Sequence, residues 1–298
     1  MNIKDLTTEQ RNPDSLHIDS ATPLEIVKII NQEDKKIADA VGTQDKEIAK
    51  AIEYASKRYR EGGRLIYVGA GTSGRLGILD AVELVPTYRI NPERAIGLIA
   101  GGQSAMFRAV EGAEDDPKLG EKDLKDLKLN EKDIVIGLAA SGRTPYVIGC
   151  LKYANQVKAL TISIACVKKS EIGKYADIVI EAVVGPEVIT GSTRMKAGTA
   201  QKMILNMIST GVMIKQGKVY ENVMVDVMPT NSKLVDRACR IIEVATGVSE
   251  SVASDTLEKA DMNVAVAITM LKTGVDKEKA MDILKECNGN ISSVVNNY

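Results

Sequence analysis

The chain has no tryptophan, one phenylalanine (Phe107) and one histidine (His17) among 298 residues, and each scarcity removes a class of function. Aromatic residues make up only 3% of the whole, too few to build platforms on which successive bases stack. Charge points the same way. Thirty-nine Lys and Arg against 40 Asp and Glu leave a net charge of -1, with no excess to draw the chain onto a polyanion or an acidic bilayer. Neither nucleic acid nor membrane is an expected partner. With one His, in a polar stretch, a Ser-His-Asp relay or a His-based zinc site within one chain would have to use that residue. Cys150, Cys166, Cys239 and Cys287 are far apart and form no C-x-x-C pair, so they read as reduced thiols of a cytosolic protein, with no metal and no disulfide framework. No run of about 18 uncharged apolar residues occurs, and residues 1–10 hold no apolar leader segment, so a cytoplasmic location is expected.

What is present is a large supply of core-forming side chains, 44% of the total, arranged with two different periods. Thr22-Pro23-Leu24-Glu25 has the form of a capping box with proline at the first helical position, and Leu24, Val27, Ile30 and Ile37 mark an apolar face behind it. A second helix is expected from about Asp45 to Arg60, ending at Gly62-Gly63. Five short apolar runs then alternate with mostly helical patterns, at 65–68, 95–99, 134–138, 160–164 and 178–180. Their near-continuous hydrophobicity predicts an α/β fold, a parallel five-stranded sheet flanked by helices on both faces. A long apolar helix from near Arg194 through Met203, Ile204, Met207, Ile208 and Val212 to Lys215 would cover that sheet or a partner subunit. Beyond Pro229 the strand signal ends. Residues 231–298 read as a small all-helical domain punctuated by Thr246-Gly247, Gly274 and Gly289, with Leu271, Val275, Ala280, Ile283, Leu284, Ile291 and Val294 as its core.

Three strand ends carry hydroxyl-rich loops. The first strand runs into Gly69-Ala70-Gly71-Thr72-Ser73-Gly74-Arg75 and then a helical pattern, an arrangement in which close-approaching backbone and free helix N–H groups favour an anion. This is formally G-x-G-x-x-G, but the next strand ends in Ile99-Ala100-Gly101-Gly102 without the acidic residue that would hold a ribose, and Gly-Lys-Ser/Thr is missing, so dinucleotide and Walker readings fall away. Thr72, Ser73 and Arg75 offer donors suited to a phosphate monoester. The third strand ends in Ala139-Ala140-Ser141-Gly142-Arg143-Thr144-Pro145, and the last is followed by Gly191-Ser192-Thr193-Arg194-Met195-Lys196. In an open sheet such turns share the carboxyl edge and can converge on one ligand.

General acid-base work then falls to carboxylates, tyrosines or lysines. Glu83 sits late in the helix opened by the first loop, where the dipole and flanking apolar residues favour its protonated form. Glu114 is read as following the second crossover helix, in a cluster with Glu111, Asp115 and Asp116 from which spacing selects no single member. Physics alone reaches a sugar-phosphate-sized site with candidate acids.

The stretches 69–75, 140–146 and Thr190-Gly191-Ser192-Thr193-Arg194-Met195-Lys196-Ala197-Gly198-Thr199-Ala200-Gln201-Lys202 resemble those of the N-acetylmuramic acid 6-phosphate etherases, over nearly the whole chain. The resemblance implies a sugar isomerase (SIS) domain at 56–229, preceded by an N-terminal helical segment at 1–55 and followed by a small helical, UBA-like domain at 230–298. It implies cleavage of the D-lactyl ether of N-acetylmuramic acid 6-phosphate by elimination and hydration in cell-wall amino-sugar recycling, with no metal, nucleotide or other cofactor. Carried over by motif, Glu83 would be the acid assisting lactate departure and Glu114 the base at C2, an exchange of roles being left open. Thr72, Ser73, Ser141 and Thr144 would hold the phosphate, with Arg194 and Lys196 near the anionic groups. A homodimer completing its sites across the interface is implied as well. The alternatives are a phosphosugar isomerase and a non-catalytic sugar-phosphate regulator; the latter would need a second SIS domain, for which the chain has no room.

Overall fold

The computed structural model describes residues 7–227, 229 and 231–298. The leader reading rested on residues 1–10, of which 1–6 lie outside the described residues, as does Thr230, where the helical domain was expected to begin. The chain divides into two compact units, one of residues 1–85 and 91–209 and a second of residues 86–90 and 210–298.

In the first unit, helix α1 (Pro23–Asp34) opens with the expected capping box, Thr22 and Glu25 each satisfying the other's backbone. Leu24 and Val27, expected to back a core, are exposed instead at 63% and 62%. Helices α2 (Lys36–Gly42) and α3 (Asp45–Arg60) follow, α3 burying Ile48, Ala51 and Ala55. Strands β1 (Leu65–Gly69), β2 (Ala95–Ile99), β3 (Ile134–Leu138), β4 (Leu160–Ala165) and β5 (Ile178–Glu181) form one parallel sheet in the order β2-β1-β3-β4-β5. Every residue of β1, β3 and β4 is buried, which is what their unbroken hydrophobicity requires of a sheet covered on both faces. Helix α4 (Gly71–Tyr88) follows β1, α5 (Pro117–Asp126) precedes β3, and α6 (Pro145–Gln156) connects β3 to β4.

The long helix α7 (Lys196–Lys215) buries Ile204, Leu205, Ile208, Val212 and Met213 within the chain. The apolar face expected to be available to a partner is therefore mostly occupied already. Two hydrogen bonds join α7 to α4: Ser73 donates to Gln201 at 2.8 Å and Ser209 to Asp80 at 3.1 Å. The paired positions advance together by about two turns, so the helices run parallel side by side.

The chain order reverses at the sheet's centre: β1 passes to β2 on one side, and β3 passes to β4 on the other. That switch point, outside the carboxyl ends of β1 and β3, is where open α/β sheets bind ligands. Gly69 and Leu138 are register partners, so the loops at 70–75 and 139–145 start side by side.

The second unit holds a two-residue hairpin, β6 (Val219–Tyr220) with β7 (Val223–Met224), and helices α8 (Ser232–Thr246), α9 (Glu250–Lys259), α10 (Val264–Thr273), α11 (Lys277–Glu286) and α12 (Ile291–Asn297). Gly247 and Gly274 end α8 and α10 in the left-handed region, where a side chain would be strained. Ala280, Ile283, Leu284, Ile291 and Val294 are buried as expected, while Leu271 and Val275 are partly so; Ala238, Ile242, Ala267 and Ile268 from α8 and α10 complete the core. Among the described residues no helix is long and apolar enough to cross a membrane.

Candidate functional site

The first loop turns tightly because it lacks side chains where backbone meets backbone. A Cβ on Gly69 would lie 2.7 Å from Gly74 N, and one on Gly74 would lie 2.8 Å from Gly69 O, so the first turn of α4 presses directly on the end of β1. Ser73 is buried, its hydroxyl bonded to Gln201; Gln201 Nε2 is buried and lacks an acceptor among the described residues. An unused donor therefore remains beside Ser73. Thr72 is half-buried and faces the start of α7, its Cγ2 lying 3.5 Å from where a Cβ on Gly198 would stand. The first loop thus meets the first turn of α7.

Arg75 does not act as the free phosphate donor expected of it. Its guanidinium donates to the carbonyls of Met106 at 3.0 Å and Ala105 at 2.7 Å, bracing the segment after β2.

In the second loop Gly142 has φ +69°, and a Cβ there would meet Ser170 Cβ at 2.5 Å. Thr144 occupies the N-cap position of α6, yet its side chain makes no capping bond. Its hydroxyl is therefore not spent on the first-turn N–H groups from which an N-cap Thr ordinarily accepts. Ser141 and Thr144 line a cavity of about 450 Å³ with Arg143, Pro145, Glu114, Asp115 and Glu9.

Glu114 lies on a short 3-10 turn, Ala113–Asp115, just before α5. The segment from β2 to this turn contains no α-helix, so the expected position after a crossover helix is corrected to one before it. The fold also separates the acidic cluster. Asp116 accepts from the N–H groups of Lys118 and Leu119 as the cap of α5. Glu111 lines a second cavity, of about 240 Å³, with Ala70, Gly71 and Arg75. Among the described residues Glu114 is the one that lines both cavities, between the glycine loop and the Ser141–Thr144 loop.

Two expected residues lie elsewhere. Lys196, expected near the substrate's anions, is 1% exposed and its ammonium is ion-paired with Glu33, while its backbone N–H and that of Ala197 donate to buried Glu187. It fastens the start of α7 rather than facing a ligand. Arg194 is exposed and lines neither cavity.

Glu33 is 2% exposed. Burial pushes its carboxyl up, but hydrogen bonds from Lys196, Lys36 and Asn12 outweigh this and hold it at about 2 against an ordinary 4.5. The folded state therefore prefers the ionised form. This stabilisation is complete above pH 4.5 and is lost as the pH falls toward 2. The unfolding temperature of the wild type should fall steeply as the pH drops across that window, and Glu33→Gln should flatten the slope there; an equal slope in both would remove Glu33 as its source.

Glu83 lies on the fourth turn of α4 and is exposed, together with Leu79 (50%) and Val82 (60%). Twelve residues separate it from Gly71, about 18 Å along the axis, farther than an extended hexose phosphate reaches from the glycine loop. A single chain brings together the first loop, the second loop and Glu114, and leaves Glu83 outside.

The sequence compares with known proteins end to end. It is 99% identical over 298 residues, all of both chains, to the N-acetylmuramic acid 6-phosphate etherase of Lactobacillus johnsonii. The chain belongs to the N-acetylmuramic acid 6-phosphate etherase family. The family's protein from Enterococcus faecalis is 54% identical over 99% of this chain and 98% of its own. A model described as the glucokinase regulatory protein N-terminal SIS domain matches residues 47–155, and the SIS domain model matches residues 120–210. A phosphoheptose isomerase structure from Francisella tularensis aligns with a TM-score of 0.51 at 16% identity, over 65% of this chain and all of that one, which shows the shared fold alone.

Four residues around this etherase-family site were not singled out from sequence: Glu9, Glu33, Glu187 and Gln201. Gln201 lay inside the third motif, eight residues beyond Thr193, and a buried polar residue on an apolar helix is a signal that could have found it. Nothing local marks Glu9 in its polar stretch.

Proposed function

We propose that the protein cleaves the D-lactyl ether of N-acetylmuramic acid 6-phosphate with water, giving N-acetylglucosamine 6-phosphate and D-lactate. The observation that carries this reading is Glu114 standing between two phosphate-type loops at the switch point of a family member's sheet. The phosphate is held by the hydroxyls of Thr72, Ser141 and Thr144 and by free N–H groups at the starts of α4 and α6, whereas the Ser73 hydroxyl, expected to join them, is spent on Gln201. In the open-chain sugar the C1 aldehyde acidifies the C2 proton, and Glu114 removes it. The electron pair forms the C2–C3 double bond as the C3–O bond breaks, and the departing lactate oxygen takes a proton from Glu83. Water then adds at C3 and C2 regains a proton. Arg194, exposed in the third motif, is the cation assigned to the lactyl carboxylate.

Because Glu83 lies outside the chain's own site, the reaction requires a second copy. Leu79 and Val82 flank Glu83 on an exposed helix face, and covering that face with another subunit would bury apolar area and bring Glu83 to the partner's site. A homodimer in the cytoplasm, serving peptidoglycan amino-sugar recycling, is the assembly proposed. The test is a D-lactate assay in 18O-water: the label should enter the sugar's C3 hydroxyl and not the lactate. Label in lactate, or no lactate at all, would sink the mechanism.

A further inference from the structure

A third carboxylate belongs to the site, and it comes from a part of the chain that no motif marked. Glu9 ends a 3-10 turn, Thr7–Glu9, and is half-buried. It lines the same cavity as Glu114, Ser141, Arg143 and Thr144. A Cβ on Gly191 would lie 3.5 Å from Glu9 Oε2, so Glu9 also borders the third loop. The placement is held from behind. Asn12 donates to Glu33 at 2.8 Å and to the Pro186 carbonyl at 3.1 Å, and Ser15 donates to the Val188 carbonyl at 2.7 Å. The N-terminal segment is thereby pinned to the strand exit that leads into Gly191, and Glu9 projects from it toward the second loop.

A carboxylate has acceptors only. It repels a phosphate and suits a hydroxyl or amide N–H. Resting on the etherase reading, we infer that Glu9 is a substrate-binding residue that accepts a hydrogen bond from a hydroxyl or acetamido N–H of the sugar, distinguishing the sugar end of the ligand from its phosphate end. Ser141, Thr144 and the start of α6 supply donors for the phosphate; Glu9, across the cavity, supplies the acceptor that fixes which way the sugar lies. A wrongly turned ligand would set its phosphate against Glu9 and Asp115.

The experiment uses the full-length enzyme and its Glu9→Ala and Glu9→Gln variants, with two probes: N-acetylglucosamine 6-phosphate and inorganic phosphate, binding being read by calorimetry. In Glu9→Ala, affinity for the sugar phosphate and 1/KM for N-acetylmuramic acid 6-phosphate should fall at least about tenfold, as expected for a lost hydrogen bond to a charged group. The loss should fall on KM more than on kcat. Glu9→Gln, which keeps one acceptor oxygen, should lie between, and affinity for inorganic phosphate should not weaken in either. Equal weakening for both probes, or an unchanged KM, overturns the inference. Failure of the wild type to release D-lactate would overturn the etherase reading instead, and the contrast between the two probes would still decide the role of Glu9.

Discussion

Glu114→Gln should lower kcat for D-lactate release by about 10²- to 10⁴-fold, the range that a positioned proton-transfer group contributes, while KM changes little. The amide has the shape of the carboxylate but cannot take the C2 proton. Glu114 is exposed on a short turn, so the substitution should leave the unfolding temperature within about a degree or two of wild type. A second measurement separates loss of the base from loss of the acid. The wild type should exchange the C2 proton of N-acetylglucosamine 6-phosphate with deuterated water, because the same base acts in reverse, and Glu114→Gln should not. An activity loss below about tenfold, or retained exchange, would assign the proton to another group, with Asp115 in the same cavity the next to test.

The second large effect is a recovery. Glu83→Ala and Glu114→Ala should each be nearly inactive, yet mixing them after dissociation and reassociation should restore about a quarter of wild-type activity. Random pairing makes about half the dimers mixed, and one of the two sites in a mixed dimer would combine an intact Glu114 from one chain with an intact Glu83 from the other. The reasoning is geometric. Glu83 is about 18 Å down α4 from the glycine loop, and its face is exposed beside Leu79 and Val82. If both glutamates served one site within a chain, no mixture could recover, and a persistently inactive mixture would therefore sink the shared site. Light scattering at micromolar concentration should show twice the mass of 32.1 kDa. Leu79→Asp should halve it and abolish activity without unfolding the chain, since Leu79 is already half-exposed.

Much of the fold was legible because the signals were local. The apolar runs at 65–68, 95–99, 134–138, 160–164 and 178–180 became the five strands, and Thr22-Pro23 began α1 as read. The exposed faces of Leu24 and Val27 were not legible, since helical periodicity shows that a face is apolar and not what covers it. The site was partly legible. Glycines and hydroxyls at strand ends announce an anion loop, but hydrogen bonds between distant segments decide which of them stay free. Arg75 turned to the Ala105 and Met106 carbonyls and Lys196 to Glu33, whereas Thr144 kept its hydroxyl.

Sequence alone determined the class of sheet, the three loops and the family-like motifs, because each depends on residues within a few positions of one another. Tertiary structure decided three other things: that Glu114, and not its acidic neighbours, lines both cavities; that Glu83 faces outward; and that Glu9, from the far end of the chain, lines the same cavity as Glu114. The first two depend on strand order and on which helix faces the fold covers, the third on contacts between residues more than a hundred positions apart, and no local pattern encodes either.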